Sequence, residues 1–159
     1  MNETPREINE ELLEYQTIRL QGLILEMLEC CDDRRLDESK KFGLPYAELK
    51  CLMLFKGERY LTVKGIAQKL DVAKSRVTKL IQGLMSKGLI YQIDDPRDAR
   101  IRLISPSPEG RKISVQVAMF QRDIHRAILL QMDDAERKNT LSCLESLRGA
   151  MEAVKKKMA

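Results

Sequence analysis

The sequence predicts a mainly α fold with one small β-wing. Three observations carry this expectation. Apolar residues recur at spacings of three and four through most of the chain. Strand-like runs are confined to two short stretches on either side of a charged loop at 94–100. Neither end of the chain has strands or turns of its own.

Residues Met1 to Arg6 are polar, include Pro5, and read as a frayed end. From about Glu7 to Cys31 the pattern is helical, with Ile8, Leu12, Tyr15, Leu20, Leu23, Ile24, Met27 and Leu28. Its second half is apolar over a wide arc, and a helix of that kind must be covered on several faces, which a partner subunit would do. Cys31 to Gly43 (CDDRRLDESKKFG) is polar and charged and reads as a connection. Pro45 suits the first position of a helix holding Leu49, Leu52, Met53 and Phe55.

The most informative stretch runs from Leu61 to Gly110. Leu61, Ile66, Ala67 and Leu70 form a helical apolar stripe, with Thr62 placed as its N-cap and Leu61 and Ile66 spaced as a hydrophobic staple. A turn at Asp71-Val72-Ala73 leads to a second helix with Val77, Leu80, Ile81 and Leu84 on its buried side, ending at Gly88. Its opposite side displays Lys74, Ser75, Arg76, Thr78, Lys79 and Gln82. Cationic, hydroxyl and amide groups of this kind meet phosphates and base edges when a helix enters a major groove. This is a helix-turn-helix pattern.

Leu89–Ile93 and Ile101–Ile104 read as two strands joined by Asp94-Asp95-Pro96-Arg97-Asp98-Ala99-Arg100, a wing whose tip carries arginines able to enter a narrow minor groove. Asp98 and Arg100 can also brace the loop. Ser107 then caps and Pro108 opens a long helix with Ile113, Val117, Phe120, Ile124 and Ile128. Asp133 and Glu136 form a capping box for a last helix, whose Leu144, Leu147, Met151, Val154 and Met158 make a coiled-coil-like seam.

These residues resemble the DNA-binding core of the MarR family of bacterial transcription regulators. The matching pieces are Leu61-Thr62, Ile66-Ala67, Leu70, Val77-Thr78, Leu84, Lys87-Gly88-Leu89-Ile90, Asp95-Pro96-Arg97-Asp98-Ala99-Arg100 and Ser107-Pro108-Glu109-Gly110. Three positions depart from the family pattern: Ala73 lacks a capping hydroxyl, Gly65 replaces an acidic residue, and Pro106 replaces an apolar strand residue. The resemblance implies a winged helix-turn-helix that dimerises through its N- and C-terminal helices. It also implies that Asp98 fixes the wing through a salt bridge while Arg97 or Arg100 reaches the minor groove. A cleft between the dimer helices and the winged lobe, where many members bind small aromatic anions, is implied too; Tyr15, Arg19, Met53 and Phe55 are the candidates for lining it. Some members sense oxidants through a cysteine near the start of the fold, which points to Cys30 and Cys31.

Composition agrees. With 43% apolar and 33% charged residues in 159, the chain is long enough for one folded domain or a lobe plus an oligomerisation arm. The net charge is +4, and between Thr62 and Lys112 there are 11 Lys/Arg against 5 Asp/Glu, so the positive balance lies on the segment read as DNA-binding. No apolar run is long enough to span a bilayer and no secretory signal is evident, so the expected location is the cytoplasm. Cys30, Cys31, Cys51 and Cys143 have no C-x-x-C spacing, and the single histidine, His125, has no ligand cluster around it in sequence, so no metal or other cofactor is expected. No nucleophile constellation or phosphate loop suggests an enzyme.

The chain therefore divides into residues 1–44, an N-terminal dimerisation helix and connecting loop; 45–107, the winged DNA-binding lobe; and 108–159, C-terminal dimerisation helices. The expected function is a homodimeric transcription regulator on pseudo-palindromic double-stranded DNA, a repressor released by a small aromatic or anionic effector. The alternatives are a thiol-based redox regulator using Cys30 and Cys31, and a winged-helix protein–protein adaptor.

Overall fold

The computed structural model describes residues 8–158. The elements are α1 (Glu10–Phe42), α2 (Tyr46–Met53), β1 (Leu61–Thr62), α3 (Val63–Leu70), α4 (Lys74–Ser86), β2 (Ile90–Asp94), β3 (Arg102–Pro106), α5 (Pro108–Leu129) and α6 (Asp134–Met158). The expected frayed end at Met1–Arg6 and the helix start near Glu7 lie outside the described residues. The chain forms two compact units that divide between Ser114 and Val115, so α5 runs through both.

In the first unit, α1 is one helix of 33 residues, which corrects the reading of residues 31–43 as a connection. That stretch has no glycine or proline before Gly43, and Asp32 pairs with Arg35 at 2.8 Å one turn on. The stop is at Gly43, in the left-handed region at φ 64°, whose N–H reaches the carbonyl of Ser39. Charge density was the misleading signal, because a solvated helix and a solvated loop share it. Pro45 stands at the N-cap of α2 rather than inside it, and Phe55 lies beyond the end of the helix, buried in the following turns.

The core of this unit gathers Leu49 and Leu52 of α2, Ile66 of α3, Val77 and Leu84 of α4, and Ile104 of β3, all nearly inaccessible to solvent. Leu80, expected among them, is half-buried. The sheet has the order β1-β3-β2, all antiparallel, with Leu61 opposite Ile104 and Ile90 opposite Pro106. β1 went unseen in the sequence because it is two residues long. Both wing strands also lie slightly later than expected. Pro106 is tolerated in the central strand for a simple reason. The Ser107 N–H bonds the Leu89 carbonyl at 2.9 Å, so Ile90 and Pro106 form a non-hydrogen-bonded pair in which no proline N–H is needed.

Ser107 caps α5, its Oγ accepting from Gly110 N–H at 3.0 Å. In the second unit the capping box opens α6 as expected: Glu136 Oε2 accepts from Asp133 N–H at 2.8 Å, and Asp133 Oδ1 accepts from Glu136 N–H at 2.9 Å. Arg137 donates to the Met132 carbonyl at 2.8 Å and pairs with Asp134, closing the α5–α6 turn. The α6 seam stays open. Leu144, Met151, Val154 and Met158 are all exposed.

Candidate nucleic-acid interface

Local chemistry sets the helix-turn-helix. Thr62 Oγ1 accepts from Gly65 N–H at 2.9 Å and starts α3. Asp71 takes the left-handed conformation at φ 54°, and Val72 N–H returns to the Ala67 carbonyl at 3.1 Å, so the chain reverses within three residues. Ala73 occupies the N-cap of α4 with no side-chain bond, as its lack of a hydroxyl predicts. The first N–H groups of α4, at the positive end of the helix dipole, therefore stay open to an outside acceptor. Gly88, at φ 69°, ends the helix, with Leu89 N–H on the Leu84 carbonyl at 3.0 Å.

Val77, Ile81 and Leu84 turn inward, while Lys74, Ser75, Arg76, Thr78, Lys79 and Gln82 are all exposed. Thr78 Oγ1 donates to the Lys74 carbonyl at 3.0 Å, which leaves its lone pairs outward as acceptors.

The wing is held by its own aspartates. Asp95 Oδ1 accepts from Arg97 N–H at 2.8 Å, and Asp98 Oδ1 accepts from Arg100 N–H at 3.0 Å. The Arg100 guanidinium binds both Asp98 oxygens, at 3.0 and 3.3 Å, while remaining almost wholly in solvent. That guanidinium, and then the Arg100 backbone N–H, hold the Asp98 carboxyl below its usual value. Asp98 thus braces the loop. Arg97 makes no ion pair among the described residues.

A shallow concavity joins wing to helices, lined by Thr62, Lys64, Lys74, Arg100 and Arg102 among others. Sequence reasoning missed Arg102, which it read only as a strand residue. It stands opposite Asp94 at the wing root, and only the folded sheet places it beside Lys64 and Lys74. Lys69, another cation of α3, lies 3.8 Å from Glu58.

The remaining candidates are placed as follows. Tyr15 and Arg19 lie on an exposed stretch of α1, with Arg19 3.9 Å from Glu26. Met53 ends α2, its sulfur accepting from Ser114 Oγ at 3.6 Å, and Phe55 is buried. Arg35 of α1 stacks over the ring of Tyr46, at the start of α2, at 5.2 Å. Tyr15 is about 30 Å up the helix axis from it. The structure does not bring these four residues together within one chain. Cys30 is exposed, and Cys31 lies 3.6 Å from Arg34 Nη2. As consecutive residues of one helix they face different directions. Cys51 is buried, and burial, followed by the charge of Glu48, pushes its thiol up to about 11. His125 Nδ1 lies 2.6 Å from the Gln121 carbonyl one turn earlier in α5, a local contact. Among the described residues no group of three His, Cys, Asp or Glu is arranged to hold a metal ion.

Residues 42–101, spanning α2 to the wing, match the model of the MarR family. The family likeness falls on 60 of the 159 residues, those of α2, the helix-turn-helix and the wing. The likeness to solved structures extends beyond that stretch. YusO from Bacillus subtilis is 24% identical, with 91% of this chain and 99% of that one covered at a TM-score of 0.71. A MarR family protein from Bacillus stearothermophilus is 20% identical, with 87% and 97% covered at a TM-score of 0.76. A mutant of S. aureus MepR, in a structure bound to an oligodeoxyribonucleotide, is 17% identical, with 83% and 97% covered at a TM-score of 0.63. No curated protein matches the chain. The fold is that of MarR-family transcription regulators, and no helix among the described residues is long and apolar enough to cross a membrane.

Proposed function

We propose that the protein is a cytoplasmic, homodimeric regulator that binds a pseudo-palindromic site in double-stranded DNA and represses transcription until a small effector releases it. The observation that carries this reading is the exposed face of α4, continuous through the Lys64, Lys74, Arg100 and Arg102 concavity with a braced, arginine-bearing wing. Lysine and arginine neutralise phosphates, α4 reads base edges, and the wing samples minor-groove width. No covalent chemistry is involved.

Dimerisation is supported by the unused apolar surface. Leu12, Leu13, Ile18, Leu20, Leu23, Leu25 and Leu28 of α1 are exposed, as is most of the α6 seam. Glu38 is the sole buried residue of α1. Surface of this extent calls for a partner. A two-fold axis would set two α4 helices about 34 Å apart, in successive major grooves. The effector is a small aromatic or anionic molecule. Since Tyr15 and Arg19 stand apart from Met53 and Phe55 in one chain, a site using all four would need one pair from each subunit.

The test combines sedimentation with selection of bound duplexes from a random-sequence pool. A dimer with an enriched two-fold motif and an affinity falling steeply with salt is expected. A monomer indifferent to every duplex at low ionic strength overturns the proposal. Equal DNA release by peroxide from wild type and from a Cys30→Ser/Cys31→Ser variant would count against the thiol alternative.

A further inference from the structure

Glu48 is a carboxylate in an apolar setting. It sits in the first turn of α2, its side chain only 9% exposed, between Leu49 and Leu52 of the core and α4. Its Oε2 lies 2.6 Å from Nζ of Lys87, the C-cap residue of α4 and 39 positions later in the chain. Its Oε1 rests against α4 at Gly83, where a Cβ would overlap it. Gly83 is therefore the seat and Lys87 the clasp. An apolar side chain would fill this space at lower desolvation cost, so the ion pair supplies direction rather than stability.

Direction matters here because the buried side chains of α4, Val77, Ile81 and Leu84, are apolar and make no directional hydrogen bond of their own. At a side-chain radius of about 5–6 Å, a roll of about 20° moves the tips by about 2 Å, enough to break a hydrogen bond. Gly83 and Lys87 stand seven and eleven residues after Arg76, on one ridge of α4. Holding that ridge against α2 fixes the bearing of Arg76.

We propose that Glu48 is a positioning residue for DNA recognition: through Lys87 and the Gly83 seat it fixes the rotation of α4 and hence the aim of Arg76. This rests on the DNA-binding reading above, and it commits Glu48 to sequence discrimination rather than to charge or folding. Simple electrostatics predicts the opposite sign, since removing a negative charge near DNA should tighten binding.

The experiment uses the full-length protein, a duplex enriched on wild type from a random pool, and a scrambled duplex of equal length. For Glu48→Met, thermal stability should be unchanged or higher, and affinity for the scrambled duplex unchanged or higher. Affinity for the enriched duplex should fall roughly five- to a hundredfold. Arg76→Ala should then cost less in the Glu48→Met background than in wild type. Should Glu48→Met fail to fold, Lys87→Gln removes the clasp from its half-exposed side and should show the same loss with an unchanged salt slope. Enriched-duplex affinity that holds or rises in the folded variant, or an Arg76→Ala cost that is the same in both backgrounds, overturns the proposal. A salt slope reduced by about 0.9 in Lys87→Gln would make Lys87 a phosphate contact and overturn it as well. If wild type enriches no duplex, the proposed function falls, and this inference with it.

Discussion

Gly110→Ala reverses the sign that helix propensity assigns. Gly110 lies in the first turn of α5, where alanine would ordinarily stabilise by about 1 kcal/mol. In the folded chain a Cβ at this position would overlap the carbonyl oxygen of Leu89, a backbone atom that cannot swing aside. The same oxygen accepts the Ser107 N–H at 2.9 Å, which ties the root of the wing to the start of α5. Relief requires the two backbones to separate by on the order of 1 Å, with an overpacking cost of about 1–3 kcal/mol. Loss of the Ser107–Leu89 bond adds about 1 kcal/mol. After subtracting the propensity gain, the net effect is a destabilisation of about 1–3 kcal/mol. Urea unfolding at fixed protein concentration measures it. Gly149→Ala is the control: that glycine is exposed on α6 with nothing near its Cβ direction, and alanine should stabilise there. Should Gly110→Ala prove as stable as Gly149→Ala, the close approach of α5 to Leu89 is refuted.

Three further outcomes are expected. Arg76→Ala and Lys79→Ala should each weaken binding to an enriched duplex by about 1–3 kcal/mol with the fold intact, as read by gel shift and circular dichroism; unchanged affinity in both removes α4 from the interface. The Cys51 thiol, at about 11 when folded against 9.0 when free, keeps its proton in the native state after the unfolded thiol has lost it. Stability therefore falls as pH rises from 9 towards 11, by about 1.4 kcal/mol at pH 10, and this part of the pH dependence should vanish in Cys51→Ala. Finally, the Asp98 carboxyl should titrate below 3.8 by carbon NMR and return to an ordinary value in Arg100→Ala; an ordinary value in wild type would mean that the wing brace does not form in solution.

What the sequence by itself determined was local. The Thr62 cap, the Asp133–Glu136 box, the stop at Gly88 and the Asp98–Arg100 brace each join residues at most four apart or set one backbone angle, so their spacing in the chain is their geometry. The inward and outward faces of α4 follow from helical periodicity in the same way. Periodicity was no guide at 31–43, where a charged helix without an apolar face looks like a loop. The tertiary structure alone decided the rest: β1 pairing with β3, Arg102 joining Lys64 and Lys74, Leu89 closing on Gly110, and Glu48 meeting Lys87. These partners are far apart in sequence, and the core packing that brings them together is non-directional, so no residue in either segment announces the other.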